Sequence, residues 1–341
     1  GREAEVEQMW RKLEGPARML AIAGPSGAGK TSFLRAGLAP SASPGWGIVR
    51  CTPGDAPFNA LAEAMATEMA GDPDAVRRLL RFHEPEVAVE VVSRWRGGHD
   101  QALLIVDQFE ELFTLNPSEV QKQIGELLSH LVLEADVFVL LSLRDDFLFR
   151  CHRVEELRPV LSELTMLGPP EGGALRRALV QPATKCGYRF EDEGLVDDML
   201  SEVEGERGSL PLLAFAMSRM WERRDRETGL LTRLAYHDIG GVGGALAQHA
   251  EATIDRIGSD RIAIVRELFR NLVTAEGTRA VREWSELLSV FDTAGVNRAG
   301  INPAPTKEMT NACLLYTPDA ADDDRVVVWG GGGGGGWGGG G

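Results

Sequence analysis

The chain has 341 residues, enough for two or three domains that each bury a hydrophobic core. It carries 36 Lys and Arg residues against 51 Asp and Glu residues, a net charge of −15 at pH 7, and this balance argues against a broad, non-specific nucleic-acid surface. Because no apolar run approaches the length of a membrane span and no signal peptide is visible, we expect a cytoplasmic protein without a membrane span.

The cysteines lie far apart and include no C-x-x-C pair; they are Cys51, Cys151, Cys186 and Cys313. This spacing predicts neither a disulfide framework nor a zinc site, and it fits a reducing compartment. Since the first residue is Gly1 rather than Met, we expect the sequence to be a fragment of a longer protein.

The first predicted element is a helix within residues 1–17. Val6, Met9, Trp10 and Leu13 stand there at helical spacing, which indicates an amphipathic helix. Two roles remain open for it: simple packing, or a lid over the base of a nucleotide bound by the motif that follows.

A phosphate-binding motif occupies residues 24–32, Gly-Pro-Ser-Gly-Ala-Gly-Lys-Thr-Ser, and satisfies the pattern G-x-x-x-x-G-K-S/T. A loop that wraps a polyphosphate turns backbone N–H groups inward, which requires glycine where a Cβ would collide or where φ is positive. The lysine of such a loop reaches the β- and γ-phosphates, and the hydroxyl after it ligates Mg²⁺. The predicted nucleotide contacts are Gly24, Pro25, Ser26, Gly27, Ala28, Gly29, Lys30, Thr31 and Ser32, with Thr31 also a metal ligand.

The residues on either side of the motif have the pattern that a phosphate loop requires. Residues 18–23 are a short apolar run typical of a buried strand, and residues 32–38 carry apolar side chains at helical spacing. Strand, loop and helix in this order favour a nucleotide site over a chance glycine-rich turn. Further along, the pattern predicts a second strand at 45–52 and helices at 58–69, 75–82 and 87–96.

Residues 102–107, Ala-Leu-Leu-Ile-Val-Asp, form an apolar run that ends in an aspartate. A buried parallel strand delivers such a carboxylate to its C-terminal edge, beside the phosphate loop, where Asp107 can hold Mg²⁺ directly or through water. Glu110 and Glu111 follow within one helical turn, and either could orient an attacking water. The alternatives are an N-capping aspartate and two solvated glutamates.

Residues 136–143 predict another buried strand, after a helix at 120–133, and this strand runs into Arg144. An arginine at the tip of the strand next to the magnesium strand could sense the γ-phosphate, which is the interpretation that we favour. It could equally form a structural ion pair with Asp107, Asp145 or Asp146.

A last strand is predicted at 164–170, where a double proline stops it. The periodicity then becomes helical, at 171–180, 193–203, 212–222, 245–257 and 261–272. The stretch 205–211 reads as a helix boundary, because proline is tolerated in the first turn of a helix.

These patterns predict an α/β domain at 1–170, with a parallel sheet and flanking helices, and an α-helical lid domain at 171–258. We expect a further small domain to begin within 259–302 and to be cut short. Residues 303–341 end in a run of glycines that cannot bury a core, so we expect a disordered tail that is not native coding sequence.

Taken together, the motifs resemble the STAND NTPases, signal-transduction ATPases with numerous domains, and most closely their bacterial "novel STAND" branch. The similarity runs from Gly1 to about Phe291. It is most specific at 24–32, at 104–113 (Leu-Ile-Val-Asp-Gln-Phe-Glu-Glu-Leu-Phe) and at 141–147 (Leu-Ser-Leu-Arg-Asp-Asp-Phe), and 167–170 and 208–213 add to it.

The resemblance implies roles at matching positions. Arg2, within Gly1-Arg2-Glu3, is similar to the N-terminal motif that lies near the base and ribose. Asp107 matches the magnesium aspartate, and Arg144 matches the sensor position after the fourth strand.

Two further roles rest on the resemblance. Glu110 matches the catalytic acid better than Glu111 does, although Gln108 stands where a second acid would follow the aspartate. Pro211, together with Gly208, matches a helical-domain motif whose proline packs on the adenine. Preference for adenine is therefore implied by the resemblance, since no guanine-reading N-K-x-D motif occurs.

Proteins of this family are usually switches. ADP holds the helical and winged-helix domains closed, and ATP exchange opens them, permits self-association and activates an attached effector. The resemblance thus implies ATP/ADP and Mg²⁺ as cofactors, a winged-helix-like domain beginning in 259–302, self-association on ATP binding, and effector and WD- or TPR-type sensor domains outside this sequence.

Two other classes share the phosphate loop. A P-loop small-molecule kinase is disfavoured by the acidic, multi-helix segment after residue 170. An AAA+-like ATPase motor is supported by Arg144 and the helical lid, but no arginine finger is identifiable and the net charge disfavours DNA. An inert scaffold is disfavoured by Lys30, Thr31 and Asp107. We therefore predict an ATP-binding, slowly hydrolysing signal-transduction switch.

Overall fold

The computed structural model describes residues 2–205, 209–258 and 262–271, and two short strands, Val281–Glu283 and Arg325–Val327, which pair antiparallel. The chain divides into two compact units, Arg2–Pro169 and Pro170–Gly341. Apart from the two short strands, the expected winged-helix-like domain beyond 271 and the expected tail at 303–341 lie outside the described residues.

The N-terminal unit is built on one five-stranded sheet. Its strands are β1 (Met19–Gly24), β2 (Trp46–Cys51), β3 (Gln101–Val106), β4 (Phe138–Arg144) and β5 (Leu164–Met166). They lie in the order β2-β3-β4-β1-β5, and every neighbouring pair is parallel. All six residues of β1 are buried, as expected for a parallel strand covered on both faces.

One face of the sheet is covered by α1 (Glu3–Leu13) and by the helical segment after the phosphate loop. That segment begins as α2 (Lys30–Ser32), continues as a π-helix (Phe33–Leu38) and ends as a 3₁₀ turn (Ala39–Ser41). Side chains alternate across a strand, so every second strand residue faces this layer. The strand residues that form a hydrophobic cluster with these helices are Leu20, Ile22, Leu103, Ile105, Phe138 and Leu140.

The opposite face is covered by longer helices. They include α3 (Pro57–Glu68), α5 (Pro85–Arg96) and α7 (Ser118–Glu134). Their buried residues pack on the alternate strand residues, which point to this opposite face. The unit also contains three shorter α-helices, α4 (Pro73–Arg78), α6 (Glu110–Leu115) and α8 (Leu148–Arg153). Further 3₁₀ helices lie at Leu79–Arg81, Asp145–Phe147 and Glu155–Leu161. The prediction of a parallel sheet with flanking helices is confirmed.

The carboxyl ends of the strands meet at one edge of the sheet. Gly24 and Arg144 are register partners, as are Cys51 and Val106. The order contains one feature that the sequence did not indicate: β4 lies between β3 and β1. Asp107 therefore follows a strand that is two positions from the phosphate-loop strand, and Arg144 ends the strand between them.

The C-terminal unit is mainly helical. Its described helices are α9 (Gly172–Lys185), α10 (Glu193–Ser201), α11 (Ser209–Glu222), α12 (Arg233–Asp238), α13 (Gly241–Ile257) and α14 (Ile262–Asn271). The first five surround a core that includes Leu179, Leu195, Met199, Met220 and Tyr236. Two features were not predicted: α12, and the parallel pair β6 (Arg189–Phe190) and β7 (Leu230–Leu231).

Candidate functional site

The phosphate-binding motif forms the loop between β1 and α2. Gly27 and Gly29 have φ of 79° and 83°, a left-handed conformation that L side chains rarely adopt. At Gly24 the constraint is space, because a Cβ there would overlap the carbonyl oxygen of Leu167. The two reasons for glycine that the motif implies, positive φ and close approach, both operate in this loop.

Lys30 begins the helix after the loop, with Thr31 and Ser32 in the same turn. Its Nζ donates hydrogen bonds to the carbonyl oxygens of Gly24 at 2.8 Å and Pro25 at 3.1 Å. Burial lowers the pKa of Lys30, and the carboxylates around it act against that effect. The acids that act in this way are Glu110, Asp145 and Asp107. The Lys30 ammonium group is thus hydrogen-bonded to the first two residues of the loop and interacts electrostatically with three acids.

Asp107 is 2% exposed and follows β3 directly. Its Oδ1 accepts a hydrogen bond from the backbone N–H of Gln108 at 3.0 Å, and Gln108 has φ of 51°, an uncommon value for a residue other than glycine. Helix α6 is capped at Phe109, so Asp107 is not its N-cap residue. The geometry disfavours the capping alternative, and the magnesium role stays a prediction.

The side chains of Glu110 and Glu111 have different hydrogen-bond partners in the structure. Glu110 turns towards β4, where its Oε2 accepts a hydrogen bond from the backbone N–H of Arg144 at 3.2 Å. Burial raises the pKa of Glu110, against the opposing effects of Lys30 and Arg144. Glu111 instead reaches the loop after β2, where its Oε2 accepts from the N–H of Gly54 at 3.2 Å.

A residue that the sequence did not indicate supports this separation. Asn116 is buried at the C-terminal end of α6, and its Nδ2 donates to the carbonyl oxygen of Gly54 at 2.8 Å and to that of Glu111 at 3.4 Å. In the sequence, the Asn116-Pro117 pair signals only a helix end. Its link to Gly54, 62 positions earlier in the chain, exists only in the folded unit.

Arg144 has a carboxylate partner. Its Nε and Nη2 donate to Oδ1 and Oδ2 of Asp146 at 3.0 and 2.6 Å, and its guanidinium lies 5.5 Å from the centre of the Phe147 ring. The structure thus identifies Asp146 as the ion-pair partner among the candidates. The sensor role of Arg144 stays a prediction, and it would require this ion pair to yield to phosphate.

Arg2 and Pro211 are the two predicted nucleotide contacts outside the phosphate-binding motif. Arg2 donates to backbone carbonyl oxygens, of Ala28 at 2.9 Å and of Gly168 at 2.6 Å. Pro211 lies in the first turn of α11, as the sequence predicted, and belongs to the C-terminal unit. Its proposed contact with a base stays a prediction, and Gly1 and Gly208 lie outside the described residues.

The donor set of the N-terminal unit suits Mg²⁺ held together with phosphate. Within the described residues, no three or more His, Cys, Asp or Glu side chains form a group that could hold a metal by themselves. Mg²⁺ keeps several waters and is usually bound through one or two carboxylates plus substrate phosphates. Asp107 and the hydroxyl of Thr31 are ligands of that kind.

In the same described part of the chain, no helix combines the length and apolarity needed to cross a bilayer. This finding concerns only the helices described above.

Comparison with known families gives one match, to the family described as novel STAND NTPase 1, over residues 1–322. The matched range passes Phe291 and extends into the segment at 303–341 that the sequence set apart as a tail. No curated protein sequence matches the chain.

Comparison with solved structures gives similar folds at low sequence identity. A Walker-type ATPase of Pyrococcus abyssi matches with 13% identity and a TM-score of 0.52, over 92% of this chain and 87% of that one. Cdc6p from Pyrobaculum aerophilum matches with 14% identity and a TM-score of 0.46, over 91% and 84%. The ORC2 protein of Aeropyrum pernix, in ADPNP–ADP complexes, matches with 16% identity and a TM-score of 0.46, over 96% and 89%. The first of these shows a shared fold.

Proposed function

The chain belongs to the novel STAND NTPase 1 family, and on that premise we propose that it is an ATP-binding signal-transduction switch that hydrolyses ATP slowly. The observation that carries this proposal is the meeting of Lys30, Glu110, Asp107 and Arg144 at one edge of the sheet, around a loop built for phosphate. ADP corresponds to the closed state of the switch and ATP to the open one.

Each residue has a chemical role in this proposal. The backbone N–H groups of the loop and the Lys30 ammonium bind the phosphates, and Thr31 and Asp107 hold Mg²⁺. When bound, the metal neutralises charge on the β- and γ-phosphate oxygens. Glu110 orients the attacking water, which its electrostatic interaction with Lys30 supports, and Arg144 senses the γ-phosphate.

The regulatory part of the proposal rests on family membership. We propose that ATP binding permits self-association, that Pro211 packs on the adenine, and that the switch acts together with effector and WD- or TPR-type sensor domains. A cytoplasmic location fits this set of roles. An AAA+-like motor is the alternative. Such motors share the phosphate loop, and Arg144 at the end of β4, next to β1, is consistent with them as well.

The nucleotide content of the purified chain tests the proposal. The chain, purified without added nucleotide and then denatured, is expected to release ADP at about one per chain, because a closed switch retains its product. Lys30→Ala is the control, and it should release none. An empty protein that turns over ATP rapidly would contradict the switch and favour a motor or a transferase.

The pH dependence of turnover tests the role of Glu110. A general base acts when ionised, and burial raises the pKa of Glu110, so kcat/KM for ATP should fall on the acid side at a higher pH than an ordinary glutamate would give. Ionisation of ATP affects wild type and Glu110→Gln alike. At low pH, kcat/KM of the wild type should therefore fall more than the residual kcat/KM of Glu110→Gln, because only the wild type loses an ionised Glu110. If kcat/KM of the two proteins depends on pH in the same way, Glu110 is not the general base.

Pro211→Ala tests the proposed base contact. Proline is tolerated but not needed in the first turn of α11, so the helix should survive the change. The loss of about two methylene groups from an apolar contact corresponds to roughly 1.6 kcal/mol, on the order of a tenfold rise in Kd for ATP and ADP. Binding of GTP, measured by calorimetry in parallel, should change less. An equal effect on ATP and GTP would contradict packing on adenine.

A further inference from the structure

Arg2 donates a hydrogen bond to the backbone of the phosphate loop. Its Nη2 donates two hydrogen bonds, to the carbonyl oxygen of Ala28 at 2.9 Å and to that of Gly168 at 2.6 Å. Its Nη1 pairs with Oε1 of Glu5 at 3.2 Å, and the side chain is only 20% exposed. A guanidinium is always charged and carries five N–H donors in a planar fork, so one side chain can hold both carbonyl groups and the carboxylate.

The first of these carbonyl groups belongs to the peptide bond between Ala28 and Gly29, within the phosphate loop. Ala28 is fully buried between Gly27 and Gly29, the two residues of the loop with positive φ. The peptide bond is planar and trans, so the carbonyl of Ala28 and the N–H of Gly29 point in opposite directions. When Arg2 holds the carbonyl, it also orients the N–H of Gly29 away from the guanidinium and polarises it as a donor.

The second carbonyl group belongs to the segment that leaves β5. Gly168 follows Leu167, whose N–H donates to the carbonyl oxygen of Ala23 at 2.7 Å and whose own carbonyl oxygen occupies the space where a Cβ on Gly24 would lie. The segment thus packs along the start of the phosphate loop, and Arg2 ties it to the end of that loop. Gly168 is two residues before Pro170, where the second unit of the chain begins.

We propose that Arg2 is a positioning residue, which holds the Ala28–Gly29 peptide in the orientation that presents the N–H of Gly29 to a bound phosphate and couples the loop to the segment at Leu167 and Gly168. The proposal rests on the proposed nucleotide binding. It differs from a role at the base and ribose, because Arg2 would act through the loop and affect any ligand that binds there by its phosphates.

Inorganic pyrophosphate separates these two roles, since it has neither base nor ribose. Calorimetry on the full chain with Mg²⁺ should show that Arg2→Ala raises the Kd of ADP and of pyrophosphate by a similar factor, on the order of 10- to 100-fold for a lost charge-assisted hydrogen bond. Arg2→Lys keeps the charge and one donor position and should recover part of the affinity for both ligands. A rise for ADP alone, or no rise for either, would overturn the proposal.

Hydrogen exchange gives a second readout that needs no ligand. In the nucleotide-free chain, Arg2→Ala should speed amide exchange in the peptides that contain residues 28–29 and 167–168. Lys12→Ala is the matched control: Lys12 lies near the end of α1, the helix that Arg2 precedes, and it donates to the carbonyl oxygen of Leu164 at 3.1 Å, so it anchors α1 to β5 rather than to the loop. Unchanged exchange in Arg2→Ala, or the same change at 28–29 in Lys12→Ala, would overturn the proposal.

The two hypotheses can fail separately. If the wild-type chain binds neither ADP nor pyrophosphate, the proposed function fails. If the wild-type chain binds ADP and pyrophosphate while Arg2→Ala binds both equally well, the positioning role fails and the proposed function stands.

Discussion

Lys30→Ala is expected to abolish measurable binding of ATP and ADP. In a phosphate loop the lysine contacts the β- and γ-phosphates through charge-assisted hydrogen bonds, each contributing about 1.5–3 kcal/mol. The loss of two such bonds corresponds to a rise in Kd of roughly 10²- to 10⁴-fold. Titration calorimetry with ATP and with ADP measures this directly.

Two controls accompany this variant. Lys30 Nζ also donates to the carbonyl oxygens of Gly24 and Pro25, so circular dichroism and a melting curve should establish that Lys30→Ala remains folded. Lys122→Ala removes an exposed lysine of α7 that pairs with Glu126, and it should bind nucleotide as the wild type does. A folded Lys30→Ala that binds ATP with wild-type affinity would show that the loop is not the phosphate site.

Glu110→Gln is expected to slow ATP hydrolysis by about 10²- to 10⁴-fold while the Kd of ATP stays within a small factor. The amide oxygen can still accept the hydrogen bond from the N–H of Arg144, so the local fold is retained. What is lost is the ionised carboxylate that orients the attacking water. Single-turnover hydrolysis and calorimetry, on the same preparation, separate the chemical step from binding.

Glu111→Gln is the matched control for this prediction. It makes the same chemical change one residue later, and its amide oxygen can still accept from the N–H of Gly54. Because the Glu111 carboxylate accepts a hydrogen bond from the loop after β2, the turnover of Glu111→Gln should stay close to that of the wild type. A slow Glu111→Gln together with a normal Glu110→Gln would move the catalytic role to Glu111.

Local features of the candidate site were predictable because they depend on neighbouring residues. The spacing of Gly24, Gly29 and Lys30 indicated a phosphate loop, and the apolar runs before Gly24 and Asp107 indicated buried strands. Both strands and the loop occur where they were expected, at Met19–Gly24 and Gln101–Val106. A helix was expected at 32–38, and residues Phe33–Leu38 of it form a π-helix.

The sequence by itself determined the class of fold, the phosphate loop and the strands that carry Asp107 and Arg144, since apolar periodicity and glycine spacing act over a few residues. The tertiary structure alone decided that β4 lies between β3 and β1, that Glu110 accepts a hydrogen bond from Arg144 while Glu111 accepts one from Gly54, and that Arg2 holds the loop. Arg2 is 26 residues from Ala28 and 166 from Gly168. Contacts at such separations depend on how strands are ordered and helices packed, and a local pattern does not contain that information.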